Sequence, residues 1–205
     1  DTPKGVLRLG SMETTAAARL PLLLAAFRRR YPEVDLRLQA APTQQLLQDV
    51  LHHRIDLALV AAPVHHPELA VAVAVIEELI LVSAADHPTV ADPRQLDTVS
   101  ICTFREGCSY RQRLIDWLRG AGITVSRINE FGAFEAIIGC VAAGMGFSLL
   151  PRSVLDSHLV AGTIRAHPTP PAVAHTETLL VWRRDRSRHP ARDAFAALLG
   201  EKLHG

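Results

Sequence analysis

Val6-Leu7-Arg8-Leu9-Gly10, followed by apolar residues at Ala16, Ala17, Leu20, Leu23, Leu24, Phe27 and Tyr31, is the stretch on which the fold turns. The first run predicts a short strand ending at Gly10, and the second recurs at helical spacing. Pro21 lacks an N–H and clashes with a preceding carbonyl inside a helix, so it either sits in a first turn or kinks the helix there. Asp35 to Ala40 predicts a second strand, and Ile55 to Val60 a third. Between them about Gln44 to His53 predicts a helix, with Leu46, Leu47, Val50 and Leu51 on one face and Thr43 as its N-cap. Strands separated by helices of this length need crossover connections, so this region forms βαβαβ around a parallel sheet. Ligands of such sheets sit at the carboxyl ends of the strands, here Gly10-Ser11, Ala41-Pro42 and Ala61 to Pro63.

Working outward, Leu69 to Ala85 holds two β-rich runs split by Glu77-Glu78, and Asp86-His87-Pro88 reads as a link into something new. A second α/β pattern then begins. Val99 to Phe104 predicts a strand, Arg111 to Ala121 a helix closed by Gly122, Val125 to Glu130 a strand, Phe134 to Ala143 a helix, and Phe147 to Leu150 a strand. Thr178 to Trp182 predicts a last strand. Ala191 to Leu203 predicts an amphipathic helix whose Ala194, Phe195, Leu198 and Leu199 need a lobe to cover them.

The chain has 205 residues, of which 48% are apolar and 21% charged, with a formal net charge of +1. One large domain or two small lobes fit this length equally. Near-neutral charge gives no general attraction to nucleic acid or anionic lipid, so a DNA role needs residues outside this chain. The apolar stretches Leu69 to Ile76 and Leu79 to Ala85 are far shorter than a membrane span, which predicts a soluble protein. Three cysteines, Cys102, Cys108 and Cys140, form neither a disulfide framework nor a zinc pattern and fit a reducing, cytosolic setting. No signal peptide opens the chain, and Asp1-Thr2-Pro3-Lys4 reads as a linker cut rather than a natural N-terminus.

Chemistry is sparse. Helix N-termini bind anions through free N–H groups and the positive dipole end. Three are candidates: the one after Ser11-Met12-Glu13-Thr14-Thr15, the one after Thr43, and the one after Cys108-Ser109-Tyr110. Taken singly, Ser11, Thr43 and Ser109 read as plain N-caps, but together, at strand carboxyl ends in both lobes, they favour a ligand. A helix N-terminus beside Arg105 and Arg111 would lower the Cys108 pKa and favour thiolate, although a lone cysteine is more often structural. His52-His53 and His65-His66 lack metal-ligand spacing and read as surface residues, so no metal is expected. Gly144-Met145-Gly146 follows a helix and precedes a strand, the reverse of a dinucleotide fingerprint, and its glycines read as a helix stop. Trp117, Phe27 and Trp182 read as core; Arg28-Arg29-Arg30 and Arg183-Arg184 read as solvated ends. No Gly-x-Ser-x-Gly elbow, Walker loop or His-Glu-x-x-His occurs, so no catalytic residue, cofactor or enzymatic activity is expected.

Several motifs in order resemble one family. Ala18-Arg19-Leu20-Pro21, Phe27-Arg28-Arg29-Arg30-Tyr31-Pro32, Leu46-Leu47 to Leu51 and Arg54-Ile55-Asp56-Leu57-Ala58-Leu59-Val60 are similar to the first half of a LysR-type effector-binding domain. Val141-Ala142-Ala143-Gly144-Met145-Gly146-Phe147-Ser148-Leu149-Leu150-Pro151 is similar to that family's most recognisable C-terminal segment, and Asp86-His87-Pro88 is typical too. The match runs from Gly5 to about Leu203. It implies an α/β, type 2 periplasmic-binding-protein fold: two Rossmann-like lobes joined by two crossover strands. Residues 1–82 and 179–205 would form the first lobe and 83–178 the second, with Leu79 to Ser83 as the outgoing crossover and Thr178 to Leu203 returning.

The resemblance also implies a function: a cytoplasmic regulator of transcription in which a small-molecule effector, such as an organic acid or another anion, binds in the interlobe cleft. DNA would be read only by a winged helix-turn-helix absent from this chain, and the partners would be a second copy in a homodimer, or a tetramer at full length, with no membrane. Carried over residue by residue, the effector positions are Ser11, Met12, Glu13, Thr14 and Thr43, then Thr103, Cys108, Ser109 and Tyr110, then Phe131, Gly132 and Ala133. The segment Arg105 to Arg111 resembles a subgroup of mostly uncharacterised sensors. Cys108 lies close to the reactive cysteine of peroxide-sensing relatives, but Ser109 to Trp117 holds no second cysteine, which speaks against a disulfide switch of that type. Two rival readings remain: a secreted solute-binding protein of a transporter, and a thiol sensor or small enzyme built on Cys108.

Overall fold

In a computed structural model, residues 2–96, 98–184 and 189–203 are described. They fall into two compact units, Asp1–Ile76 with Glu177–Gly205, and Glu77–Thr176.

In the first unit, β1 (Gly5–Ser11) lies parallel to both β2 (Val34–Ala40) and β3 (Leu57–Ala61), and β3 is antiparallel to β9 (His175–Arg183). The strand order is β2-β1-β3-β9-β4. Leu7 and Leu9 alternate with exposed Val6 and Arg8, as a half-buried strand requires, whereas β3 is buried along its whole length. The helical stretch after β1 is two helices, α1 (Glu13–Ala18) and α2 (Leu20–Arg30). Pro21 occupies the first turn of α2, where its missing N–H costs nothing. Leu20, Leu23 and Phe27 of α2 pack with Leu7, Leu9, Leu57 and Leu59 and with Phe195, Leu198 and Leu199 of α8 (Pro190–Leu203). Phe27 and Phe195 meet edge to face, ring centroids 5.4 Å apart. A buried side chain of this size contributes about 1.5–3 kcal/mol. Gly10 admits α3 (Thr43–Leu51) against β1, since a Cβ there would stand 2.6 Å from Leu46 Cδ2 and Ile55 Cδ1.

The chain leaves this unit along β4 (Leu69–Ala84), one continuous strand rather than two runs split at Glu77-Glu78. Side-chain alternation turns Glu78 outward to a two-point ion pair with Arg152, while Glu77 is buried. Paired backbone thus carries the strand through two charged residues.

In the second unit, the last part of β4 pairs antiparallel with β7 (Ser148–Pro151) and β8 (Ile164–His167). β5 (Thr98–Phe104) and β6 (Thr124–Phe131) form a parallel pair with α4 (Ser109–Gly120) as the connection, and α5 (Phe134–Ala142) follows β6. Phe147 joins the two sheets: its N–H donates to Ser100 O (2.9 Å) and its carbonyl accepts from Cys102 N–H (2.8 Å). Gly146 permits this approach, with φ +150° and a hypothetical Cβ only 2.3 Å from Ser100 O. α6 (Arg152–Val160), β8, α7 (Pro171–Ala174) and a short 3-10 turn at Pro93–Gln95 have no counterpart in the sequence reading.

Candidate functional site

The carboxyl ends of β1, β2 and β3 lie together in the first unit because the strands are parallel, Ser11 standing beside Ala40 on one side and Leu59 on the other. Ser11 is fully buried and donates its hydroxyl to Met12 O at 3.0 Å, while Met12 N–H donates to Leu59 O at 3.2 Å. Ser11 is therefore the last residue of a strand and does not cap a helix; Met12 holds the N-cap position of α1, followed by Glu13 and buried Thr14. Thr43 is likewise not a cap. It is the first residue of α3, behind Pro42, and its hydroxyl accepts a hydrogen bond from Ala61 N–H at 3.3 Å, tying α3 to the end of β3.

In the second unit, Phe104 and Phe131 end the paired strands β5 and β6, with buried Thr103 opposite Glu130 one residue earlier. Arg111 holds this end together: its guanidinium donates to Glu130 Oε1 at 2.6 Å and to Phe104 O at 3.4 Å. Cys108 is the N-cap of α4 and Ser109 its first residue, so the expected Ser109 cap is also displaced by one position. Tyr110 is buried among the apolar side of α4 with Leu114 and Leu118. Ala133 is the N-cap of α5, and a side chain at Gly132 would meet open space.

Cys108 departs from expectation. Burial pushes its thiol above the usual thiol range, although the Arg111 and Tyr110 backbone N–H groups and the Arg111 charge pull the other way. Desolvation disfavours the thiolate more than the helix end favours it. Burial likewise raises the Cys102 thiol, with nearby Cys140 adding to the effect.

The three longer helices beginning at these strand ends share a feature that residue types alone concealed. α3 and α5 start behind Pro42 and Ala133, whose side chains cannot accept a hydrogen bond, and α4 starts behind Cys108, whose sulfur faces the Tyr110 and Arg111 N–H groups but is only a weak acceptor and makes no cap hydrogen bond of normal geometry. Their first N–H groups, four of which have no intrahelical acceptor in any helix, are left to other partners. Buried hydroxyls add to this: Thr15 in α1, and Thr178, opposite Ala61 on β9, have no hydrogen-bond partner among the described residues. The sequence reading missed both, since a threonine in a helix or strand carries no signal of its own. Among the described residues no group of three His, Cys, Asp or Glu could hold a metal ion, and no helix is long and apolar enough to cross a membrane.

Two units, each with parallel strands whose carboxyl ends meet uncapped helix N-termini, define a ligand-binding α/β protein. The model of the LysR substrate binding domain matches residues 1–204, and the chain belongs to that family. It is 44% identical over 193 residues to the HTH-type transcriptional regulator GltR of Bacillus subtilis (strain 168), a match covering 94% of this chain and 65% of that protein's length. Among solved structures it is similar to the CcmR regulatory domain of Synechocystis PCC6803 in complex with 2-PG (TM-score 0.85, 21% identity, 98% of each chain). It is also similar to the effector binding domain of QuiR in complex with shikimate (TM-score 0.81, 18% identity, 98% of each chain). The fold is thus that of LysR effector-binding domains, the type 2 periplasmic-binding-protein fold.

Proposed function

We propose that this chain is the sensing part of a LysR-type transcription regulator, in which a small organic anion binds at the starts of α4 and α5 in the second unit. The observation that carries this reading is the pair of helix N-termini in the second unit, following the carboxyl ends of the paired strands β5 and β6 behind Cys108 and Ala133. Such ends offer directed N–H donors and a positive dipole, and a carboxylate or phosphate satisfies both. Thr103, Tyr110, Phe131 and Gly132 would shape the surroundings there, and Ser11, Met12, Glu13, Thr14 and Thr43 form the corresponding strand end of the first unit. GltR is named as an HTH-type transcriptional regulator, and 2-PG and shikimate occupy the CcmR and QuiR structures, which supports a small-molecule effector here. Binding, not catalysis, is the output. It changes the affinity of a DNA-reading part outside this chain only as far as the effector prefers one arrangement over another. A cytoplasmic homodimer completes the reading.

Proline at the first helical position tests it. Ser109→Pro and Phe134→Pro each delete one N–H that the helix itself does not use, and Cys108 (ψ 123°) and Ala133 (ψ 141°) already have the extended backbone that a following proline demands. For a ligand found by thermal-shift screening of small carboxylates and phosphates, either variant lowers affinity about tenfold or more, as loss of a hydrogen bond to a charged group requires, with the melting temperature of the free protein unchanged in Ser109→Pro and lowered in Phe134→Pro, which also removes a half-buried ring. Unchanged affinity in both removes these helix ends from the site.

A further inference from the structure

Arg113 lies one turn beyond Ser109 on α4, on the same face of the helix. Among the described residues its guanidinium takes no carboxylate. It donates instead to three carbonyls, Ala172 O at 3.0 Å, Val173 O at 3.4 Å and His175 O at 3.4 Å, and to Thr176 Oγ1 at 3.2 Å. These acceptors are the C-terminal end of α7 and the first residues of β9, so one planar group with five donors answers the unsatisfied carbonyls of a helix end and grips the start of a strand at once.

The grip falls at a particular place. Thr176 is the last residue of the second unit, and Glu177 the first residue of the chain's return to the first. On the other side of that peptide bond, Glu177 O accepts from Ala62 N–H at 2.9 Å and Thr178 pairs with Ala61. Ala61 N–H is the group that donates to the Thr43 hydroxyl at the start of α3. Residues 175–178 are therefore bonded within the second unit to α4, one turn from Cys108 and Ser109, and within the first unit to the strand end that holds Thr43. A rigid helix carries a shift of its first turn directly to a guanidinium one turn along, and four hydrogen bonds from that guanidinium leave little slack.

We propose that Arg113 is a positioning residue that couples the start of α4 to the return strand β9, so that occupation of the α4 N-terminus is felt at residues 175–178. This deepens the function proposed above and rests on it for its biological meaning, but the coupling itself requires no ligand.

The experiment is a double-mutant cycle read by hydrogen exchange of the amides of residues 172–180. Cys108→Phe adds bulk at the N-cap of α4, and Arg113→Gln removes the grip. Cys108→Phe alone raises exchange of this segment at least fivefold; Arg113→Gln alone raises it; the double variant exchanges no faster than Arg113→Gln. If Arg113 were only a structural brace, Cys108→Phe would add the same fold-change in both backgrounds, and that result, or no effect of Cys108→Phe in either, overturns the proposal. Should Arg113→Gln not fold, Arg113→Lys, which keeps the charge without the planar fork, takes its place and must reduce the Cys108→Phe increment at least by half. The proline variants of the preceding section fail separately, since they report ligand affinity and not exchange at β9.

Discussion

Acidification should weaken the second unit through one residue, His167. Its ring is buried on β8, where Nδ1 accepts from Val90 N–H at 3.1 Å and Nε2 lies 2.7 Å from the Ser83 hydroxyl, which itself donates to Ala84 O. An Nδ1 that accepts is unprotonated, so the ring is neutral with its hydrogen on Nε2, donated to Ser83. His87 and Phe147 pack around it at centroid distances of 5.8 and 5.6 Å. Burial, then the His87 and Arg165 charges, lowers its pKa from 6.5 to about 4. The unfolded chain therefore binds more protons than the folded one between those values, so stability rises with pH across the window: it is fully present above about 6.5 and lost as pH falls toward 4. At about 1.4 kcal/mol per pKa unit, moving from pH 7.5 to pH 5 costs about 2 kcal/mol. That corresponds to about 4–8 °C in Tm for a chain of this size.

His167→Phe isolates the effect. It keeps an aromatic ring but strands the Val90 N–H, a constant cost of about 1–3 kcal/mol, while the Ser83 hydroxyl loses one donor and keeps its bond to Ala84 O. Urea unfolding of both proteins at pH 7.5 and pH 5 cancels every other titrating group in the difference. The stability gap in favour of wild type should shrink by about 2 kcal/mol at pH 5. A gap that stays constant, or widens, refutes the assigned neutral ring.

Three further outcomes follow from the packing. Gly146→Ala forces a Cβ onto Ser100 backbone at a φ that side chains avoid, and should cost about 3 kcal/mol or more, read as a lowered urea midpoint. Gly10→Ala meets only the tips of the Leu46 and Ile55 side chains, which can turn aside, so the same measurement should show a smaller loss of about 1–3 kcal/mol. Cys108, with its thiol pushed up by burial, should react with iodoacetamide at pH 7 more slowly than a free cysteine; faster labelling would revive the thiol sensor.

Periodicity made the parallel core of the first unit legible, because Leu7 and Leu9 on a strand and Leu20, Leu23 and Phe27 on a helix repeat with different periods and bury one face each. It failed where burial is thin. Only Val154 and Leu155 of α6 and Ile164 and His167 of β8 are buried, too few for a pattern to emerge. At Glu77-Glu78 two charges masked a strand whose continuity comes from backbone pairing on its flanks. In the site, the helix starts were legible but the residues that hold their caps were not. Ser11, Thr43 and Ser109 look like caps by residue type, yet Met12, Pro42 and Cys108 hold those positions, and a one-residue displacement turns satisfied helix ends into open ones. Arg113 gave no signal, since an arginine on a helix reads as solvated until its acceptors fold against it.

The central claim, that open helix N-termini receive the effector, is tested most directly by amide chemical-shift mapping during titration with a panel of small carboxylates and phosphates that includes 2-PG and shikimate. The account predicts that any binder moves the amides of residues 109–111 and 134–136 first and furthest. A binder whose shifts fall elsewhere, for example along the groove lined by Leu24, Leu36 and Leu38, would contradict it.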